Sequence, residues 1–366
     1  MHDKLRVVTN SERSAFQCEK KWWFSYVEGL TPHETPTALV QGSLMHMLLE
    51  EYYRSNMQTD IDQLKSIVID PWIELQQDRS QTKLYPDQWL SERSEWAVMC
   101  LTMMDGYMAH WDDSGWQVLA VEPQICRSII HPATEEPLRD SRGREWVYSG
   151  RVDVVIKDLA TDLDWLVEHK TTSHTDLDGY CTKLTFDPQI RGYAWAPRSP
   201  HPEHSQFPDG IKPVGVIYNV LKKSIPSEPK VLKNGKLSTD KRQNTTVEKF
   251  RRAIAENKGD ESDYEDVLET LAKKKFFHRT YYTISDNDCD DFGMDIYYAA
   301  KRMLEAESDD YHPRQQSACT GPGTYRCDFT GPCLEDGPLS RVDYQLKSCR
   351  HEELDGDLAE PGFLNE

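Results

Sequence analysis

The sequence predicts an α/β protein: a mixed β-sheet flanked by helices, with a helical segment before it and a cysteine-bearing segment after it. Three observations predict this. Apolar residues recur at helical spacing up to about His110. From Trp116 onward they gather instead into short runs of strand-forming residues. Near the end, Cys319, Cys327 and Cys333 crowd into one Gly- and Pro-rich stretch. The 366 residues suffice for one large or two moderate domains, and ten Trp and seventeen Tyr supply large surfaces to bury.

In chain order, TNSERSAFQCEKKWWFSYVEGL reads as one helix, with Ser11 as its cap and Gly29 as its stop. PHETPTA is a loop. In GSLMHMLLEEYYRS, Leu44, Met47, Leu48 and Tyr52 fall at helical spacing, and helical pattern continues to about His110. WQVLAVEPQI, EWVYSGRVDVVI and LDWLVEHKTT read as three successive strands. FDPQIRGYAWA reads as a helix capped by Asp187, with Pro188 at its first position. GIKPVGVIYNVLKK is a fourth strand, and residues 224–245 form a polar excursion. TVEKFRRAIAEN and YEDVLETLAKKK are helices, FFHRTYYTIS a strand, and DNDCDDFGMDIYYAAKRMLEAES a long helix. The expected organisation is a helical segment 1–115, a core 116–310 with a basic excursion 222–245, a cysteine segment 311–349, and an acidic disordered tail 350–366.

Composition narrows the function. A formal net charge of −19 argues against broad nonspecific nucleic-acid binding, because the overall field repels phosphate. The charge is uneven: between Lys222 and Arg242 lie seven Lys/Arg against two acids. That stretch is either a solvated loop or a strip that grips phosphates, with Lys222 and Lys223 at its start. No apolar run approaches the roughly 20 residues of a membrane span, and the N-terminus lacks a signal peptide's apolar core. The expectation is a soluble, cytoplasmic protein. Its nine cysteines then suggest metal or redox chemistry more than disulfides.

The chemistry concentrates in YSGRVDVVIKDLATDLDWLVEHKTTS. Asp153, Glu168 and Lys170 stand among strand-forming apolar residues, where carboxylates are costly unless paired or bound to a cation. Residues two apart on a strand share a face, so Glu168 and Lys170 project together, and a hairpin would let Asp153 join them. Two carboxylates at a sheet edge suit Mg²⁺ or Mn²⁺, and a lysine beside them suits a reacting phosphate. Taken alone, the triplet equally describes a salt-bridged sheet edge.

These residues resemble the core of the PD-(D/E)xK nuclease superfamily, and within it the RecB-like branch. GSLMH, Gly42–His46, resembles that branch's GxxxH motif. Glu122 in VEP resembles the acidic position on the first core strand, and QIRGY, Gln189–Tyr193, its QxxxY motif. The motifs also follow the branch's order. The resemblance implies a restriction-endonuclease-like core and metal-dependent hydrolysis of DNA. It implies that His46, Asp153, Glu168 and the carbonyl of His169 hold metal. Lys170, with Glu122, would serve the reaction, while Gln189 and Tyr193 face the DNA backbone. It favours exonuclease action on DNA ends in replication, recombination, repair or phage DNA metabolism, in a bacterial or phage-infected cell, with a helicase or recombination protein as partner.

A spacer-acquisition or recombination accessory and a non-catalytic DNA-binding module are the alternatives. Some RecB-like nucleases, AddB-type and CRISPR-associated ones among them, carry one cysteine before the GxxxH helix and three after the core, which bind a 4Fe–4S cluster. Cys18, Cys319, Cys327 and Cys333 are similar in layout, although the spacing is C-x₇-C-x₅-C rather than C-x₂-C-x₅-C. Four thiolates also suit Zn²⁺.

Overall fold

The computed structural model describes residues 4–319, 326–335, 341–354 and 359. Strand β1 (Leu5–Val8) leads into α1 (Asn10–Ala15), whose cap is Thr9, accepting the Glu12 N–H. The single expected N-terminal helix breaks after α1. It resumes at Cys18 as α2 (Glu19–Trp22) and continues as one wide turn over Trp23–Val27. Gly29, at φ 70, stops it, because a left-handed residue ends a helix at little cost to glycine. Strand β2 (Leu30–Pro32) precedes α3 (Thr37–Arg54). Leu44, Leu48 and Tyr52 of α3 are buried as their spacing predicts, while Met47 is exposed. Helices α4 (Ile61–Leu64), α5 (Asp70–Ser80) and α6 (Pro86–His110) complete this half.

Two of the three expected strands are each divided. The first gives β3 (Trp116–Val121) and β4 (Gln124–Ser128); the second gives β5 (Glu145–Arg151) and β6 (Val154–Asp158). β7 (Leu163–Thr172) stays whole. Helices α7 (Leu177–Leu184) and α8 (Pro188–Trp195) follow, with Asp187 capping α8 as its position before Pro188 predicts. Next come β8 (Gly215–Lys222), α9 (Val247–Glu256), α10 (Glu265–Ala272), β9 (Phe277–Thr283) and α11 (Asp286–Ala306). Short elements α12 (Thr330–Leu334) and β10 (Tyr344–Leu346) lie in the cysteine segment.

The main sheet has the order β3-β6-β7-β8-β9, parallel only between β7 and β8. A smaller sheet, β1-β5-β4, continues from it. Alternation along β7 assigns its two faces. Leu166 joins an apolar layer with Tyr148 and Trp195 beneath α8 and α11. Val167 joins a second layer with Leu48 and Tyr107 beneath α3 and α6. The excursion is tied down rather than loose: Val231 bridges Leu237, and buried Leu237 packs with Phe250 and Leu268 of α9 and α10.

The two ends of the chain meet. β10 pairs antiparallel with β2. Fully buried Arg6 donates to Glu12 at 2.6 Å and to Glu307 at 2.8 Å. The Trp22 indole also donates to Glu12, at 2.9 Å. His351 is buried between the Val7 carbonyl, 3.1 Å away, and Glu12, 3.6 Å away. The expected disordered tail therefore does not begin at residue 350; His351 and Leu354 are core residues, and 355–358 and 360–366 lie outside the described residues.

Burial opposes the charge of Glu12, yet the Arg6 guanidinium beside it holds its carboxyl down to about 2. Replacing Glu12 by Ala leaves buried Arg6 with Glu307 as its remaining carboxylate and strands the Trp22 donor in the interior. It should cost on the order of 3 kcal/mol in urea unfolding, and a loss below ~0.5 kcal/mol would contradict the anchoring role.

Candidate metal centre

The two strand divisions occur at one level. Glu122 adopts φ 52, a conformation that costs a non-glycine residue on the order of 1–3 kcal/mol unless its surroundings hold it. Two backbone hydrogen bonds do so. The Glu122 N–H donates to the Asp153 carbonyl at 2.8 Å, and the Val152 N–H to the Pro123 carbonyl at 3.1 Å. Val121 still opposes Val154, and Gln124 still opposes Arg151. The paired ribbon thus bends as a unit and passes from one sheet to the other. Glu122 and Asp153 sit together at the bend.

Three further elements converge there. α3 brings His46, whose Nδ1 lies 3.3 Å from Asp153 Oδ1. One ligand atom each from His46, Glu122 and Asp153 lies within 4.8 Å of the other two, so the three can hold one ion. β7 places the His169 backbone N–H on Asp153 Oδ2, at 2.5 Å. It also presents Glu168 and Lys170 on the α8 face. Lys170 Nζ donates to Glu168 Oε1 at 2.6 Å and to Gln189 Oε1 at 2.8 Å. The Gln189 amide in turn donates to the Tyr193 hydroxyl at 2.8 Å. Tyr193 lies against Gly150, where a Cβ would come within 2.6 Å of its ring. Glu168 Oε2 is buried and has no hydrogen-bond partner among the described residues.

The charges respond to this crowding. Burial first, then the Asp153 charge, pushes the Glu122 carboxyl up to about 8. Glu168 is raised by the same two causes, against the opposing pull of Lys170. Burial works against His46 carrying charge, but Asp153 outweighs it and lifts the imidazole to about 9. Burial likewise works against the charge of Lys170, and Glu168 reverses the balance, so the ammonium is retained throughout the neutral range. Without a cation the site holds protons where a cation fits.

A family model described as the PD-(D/E)XK nuclease superfamily matches residues 13–329. The chain belongs to this superfamily. No curated protein matches it. Superfamily members are metal-dependent nucleases, and the acidic corner supplies the hard oxygen ligands that Mg²⁺ or Mn²⁺ requires. The α/β architecture agrees with a restriction-endonuclease-like fold.

Other singled-out residues lie elsewhere. Lys222 stands over the Phe276 ring, and Lys223 donates to the Ala38 carbonyl at the start of α3. The Cys18 sulfur accepts the Gln315 N–H at 3.4 Å, and the Cys327 N–H donates to the Cys319 carbonyl at 3.0 Å. Cys100, Cys126, Cys181 and Cys289 are buried. The sequence reading missed a polar set behind His169: Tyr53, Tyr107, Asp113, Asn219 and Arg279. Its signal was Asn219, an amide within the apolar run VIYNVL.

Glu122 and His46 titrate above their ordinary values of 4.5 and 6.5. A raised folded value contributes stability below the unfolded one, and that contribution is lost as pH rises through the folded one. In EDTA, thermal stability should therefore fall between pH 6.5 and 8. The stabilisation given by excess Mn²⁺ should be larger at pH 8, where ligands release fewer protons. The window starts at 6.5 because His169 and His351, both depressed by burial to about 3, titrate in the opposite sense below it. An Mn²⁺ stabilisation that shrinks from pH 6.5 to 8 would contradict this charge balance.

Proposed function

We propose that this chain is a divalent-metal-dependent deoxyribonuclease that hydrolyses phosphodiester bonds at DNA ends. Glu168 carries the reading. One of its carboxylate oxygens is bound by Lys170; the other is buried with no hydrogen-bond partner among the described residues beside Asp153, an arrangement a cation relieves. His46, Glu122, Asp153, Glu168 and the His169 carbonyl would hold Mg²⁺ or Mn²⁺. When bound, the ion lowers the pKa of a coordinated water and polarises a phosphoryl oxygen.

Lys170 keeps its proton near neutrality, so it acts as a donor and not as a base. It orients the attacking water and offsets the negative charge that develops on the phosphate oxygens. The water oxygen forms the new bond to phosphorus, the bond to the leaving sugar oxygen breaks, and solvent takes and returns the protons. Gln189 steadies Lys170, and Tyr193 steadies Gln189. The motif order His46, Glu122, Asp153, Glu168–Lys170, Gln189–Tyr193 supports the RecB-like branch and, with it, action at ends.

The strand would approach past Pro188 of α8. There a cavity of about 750 Å³ carries Arg13, Arg302 and Arg314 alongside Glu19 and Asp295. Burial and then the neighbouring Arg191 and Arg302 charges oppose the charge of Arg13, which Asp295 offsets at 3.7 Å, while its Nη1 is buried with no hydrogen-bond partner among the described residues and is the atom an anion would meet. The basic excursion offers less. Lys223 is held by α3, Lys241 pairs with Asp266, and Arg242 pairs with Asp240.

Cys18, Cys319, Cys327 and Cys333 would hold a 4Fe–4S cluster, with Zn²⁺ as the alternative. The layout of one thiol before the core and three after it supports that reading. Burial raises Cys333 against the pull of Arg314, and Cys18 and Cys319 add to the rise. Bound metal would clamp the terminal segments, since binding free energy becomes folding free energy.

With end-labelled DNA, the wild type should shorten linear molecules in Mn²⁺ or Mg²⁺, leave circles intact, and stop in EDTA. Lys170→Ala should slow the reaction on the order of 10²-fold or more. Cleaved circles would replace the exonuclease reading with an endonuclease. Cleavage undiminished by the substitution would sink the site assignment, and binding without cleavage would favour a DNA-binding module. Separately, anaerobically purified protein should contain iron and sulfide with visible charge-transfer absorbance, both lost in Cys18→Ala; zinc alone would replace the iron–sulfur assignment.

A further inference from the structure

The face of β7 opposite Glu168 and Lys170 carries a row of polar residues across three neighbouring strands. His169 on β7 is in register with Asn219 on β8, and Asn219 with Arg279 on β9. His169 and Asn219 are 1 % and 0 % exposed, deep in a layer otherwise built of apolar side chains. His169 Nε2 is buried with no hydrogen-bond partner among the described residues, while the other atoms of the row find theirs, so their donors and acceptors can be traced in order.

Arginine can only donate. Arg279 Nε faces Asn219 at 3.3 Å, which fixes that atom as the amide oxygen. The Asn219 nitrogen therefore points the other way, with one N–H toward the Tyr107 hydroxyl at 2.9 Å and one toward His169 Nδ1 at 2.8 Å. Tyr107 also accepts from Arg279 at 2.7 Å, so its own proton goes to Tyr53, 2.6 Å away. Tyr53 donates onward to Asp113 at 3.1 Å, and Asp113 closes the circuit by pairing with Arg279 at 2.5 Å. Among the described residues, the only acceptor left for Asn219's second N–H is the lone pair of His169 Nδ1. The imidazole proton must then sit on Nε2. The Tyr53 ring stacks on this imidazole, with centroids 5.4 Å apart, and holds its plane.

We propose that Arg279, acting through Asn219, locks His169 as the neutral Nε2–H tautomer, and that both are positioning residues of the metal centre. The inference rests on the reading that His46, Glu122, Asp153 and Glu168 hold a divalent ion. For that ion, the lock fixes the peptide of His169, whose N–H holds Asp153 Oδ2. Asp153 Oδ1 is thereby left directed at His46. Partners of this kind typically carry 10–100-fold of metal affinity or activity.

The test substitutes Asn219→Asp in the full-length protein. The carboxylate keeps its pair with Arg279, so the fold is retained. It can only accept toward His169, which forces a proton onto Nδ1. Tautomers are read from two-bond ¹⁵N–¹H correlations of labelled histidine, with His169→Gln to assign the signal. Mn²⁺ binding is read by calorimetry, and Leu271→Ala, in the separate α9–α10 cluster, serves as the stability control. Wild type should show Nε2–H. Asn219→Asp should show a proton on Nδ1 and bind Mn²⁺ at least tenfold more weakly, while Leu271→Ala lowers Tm and leaves Mn²⁺ affinity unchanged. An Nδ1–H tautomer in the wild type overturns the inference by itself. So does Asn219→Asp binding Mn²⁺ within twofold of wild type. Wild type that binds no Mn²⁺ overturns the metal reading beneath it, and the tautomer signal still decides the lock.

Discussion

Carboxylates gathered out of water at a bend between two sheets set the terms for everything around them. Asp153 and Glu168 are 8 % and 4 % exposed, and Glu122 is raised by burial and by Asp153. Such a cluster is stable only if positive charge or protons are supplied from several directions. The structure draws them from separate elements: His46 from α3, Lys170 from β7 itself, and the His169 N–H from the backbone. None of these substitutes for the others, because each meets a different carboxylate oxygen. Proton occupancy and cation occupancy compete for the same space, so metal binding and pH are linked by construction.

The bend itself depends on the apolar layers above and below it. A paired ribbon turns as a unit only when both strands kink at the same residue level. Glu122 and Asp153 do so because their backbones bond each other through the turn. The layer under α8 and α11 and the layer under α3 and α6 then fix where the two sheet fragments lie. The closure of the chain ends supports the same corner. Arg6, Glu12 and His351 bind α1 to the returning C-terminal segment, and α1 packs on α8, whose first turn carries Gln189.

Most of this was legible because local rules and tertiary context agree there. Asp187 before Pro188 announced α8, and runs of strand-forming residues announced β7 and β8. The strand divisions were not legible. Their cause is a positive-φ glutamate, and Glu122 has no glycine beside it to mark the turn. The N-terminal helix break was missed because helical periodicity runs on through Phe16 and Cys18. The buried C-terminal stretch looked like tail because its acids and His351 read as solvated, whereas His351 finds Val7 and Glu12 from the far end of the chain. The reacting residues were visible as charges among apolar neighbours. Their scaffold was nearly invisible, since Tyr53, Tyr107 and Arg279 come from three distant elements and only Asn219 interrupts an apolar run.

The period of two along β7 explains why those two groups cannot be separated. Glu168 and Lys170 face α8 and the reaction edge; His169, between them, faces α3 and α6. One peptide segment therefore serves both faces. A strand cannot rotate one residue without rotating its neighbours, because β6 fixes the register of β7 up to Val167 and β8 fixes it through Glu168, His169 and Lys170. Tightening the ring of His169 from behind thus tightens the carboxylate of Glu168 in front. A polar row that would be costly as mere packing becomes a means of holding charged ligands still. Apolar side chains in its place would bury as much surface but would leave the imidazole free to choose its proton. That choice is made here by an arginine two strands away.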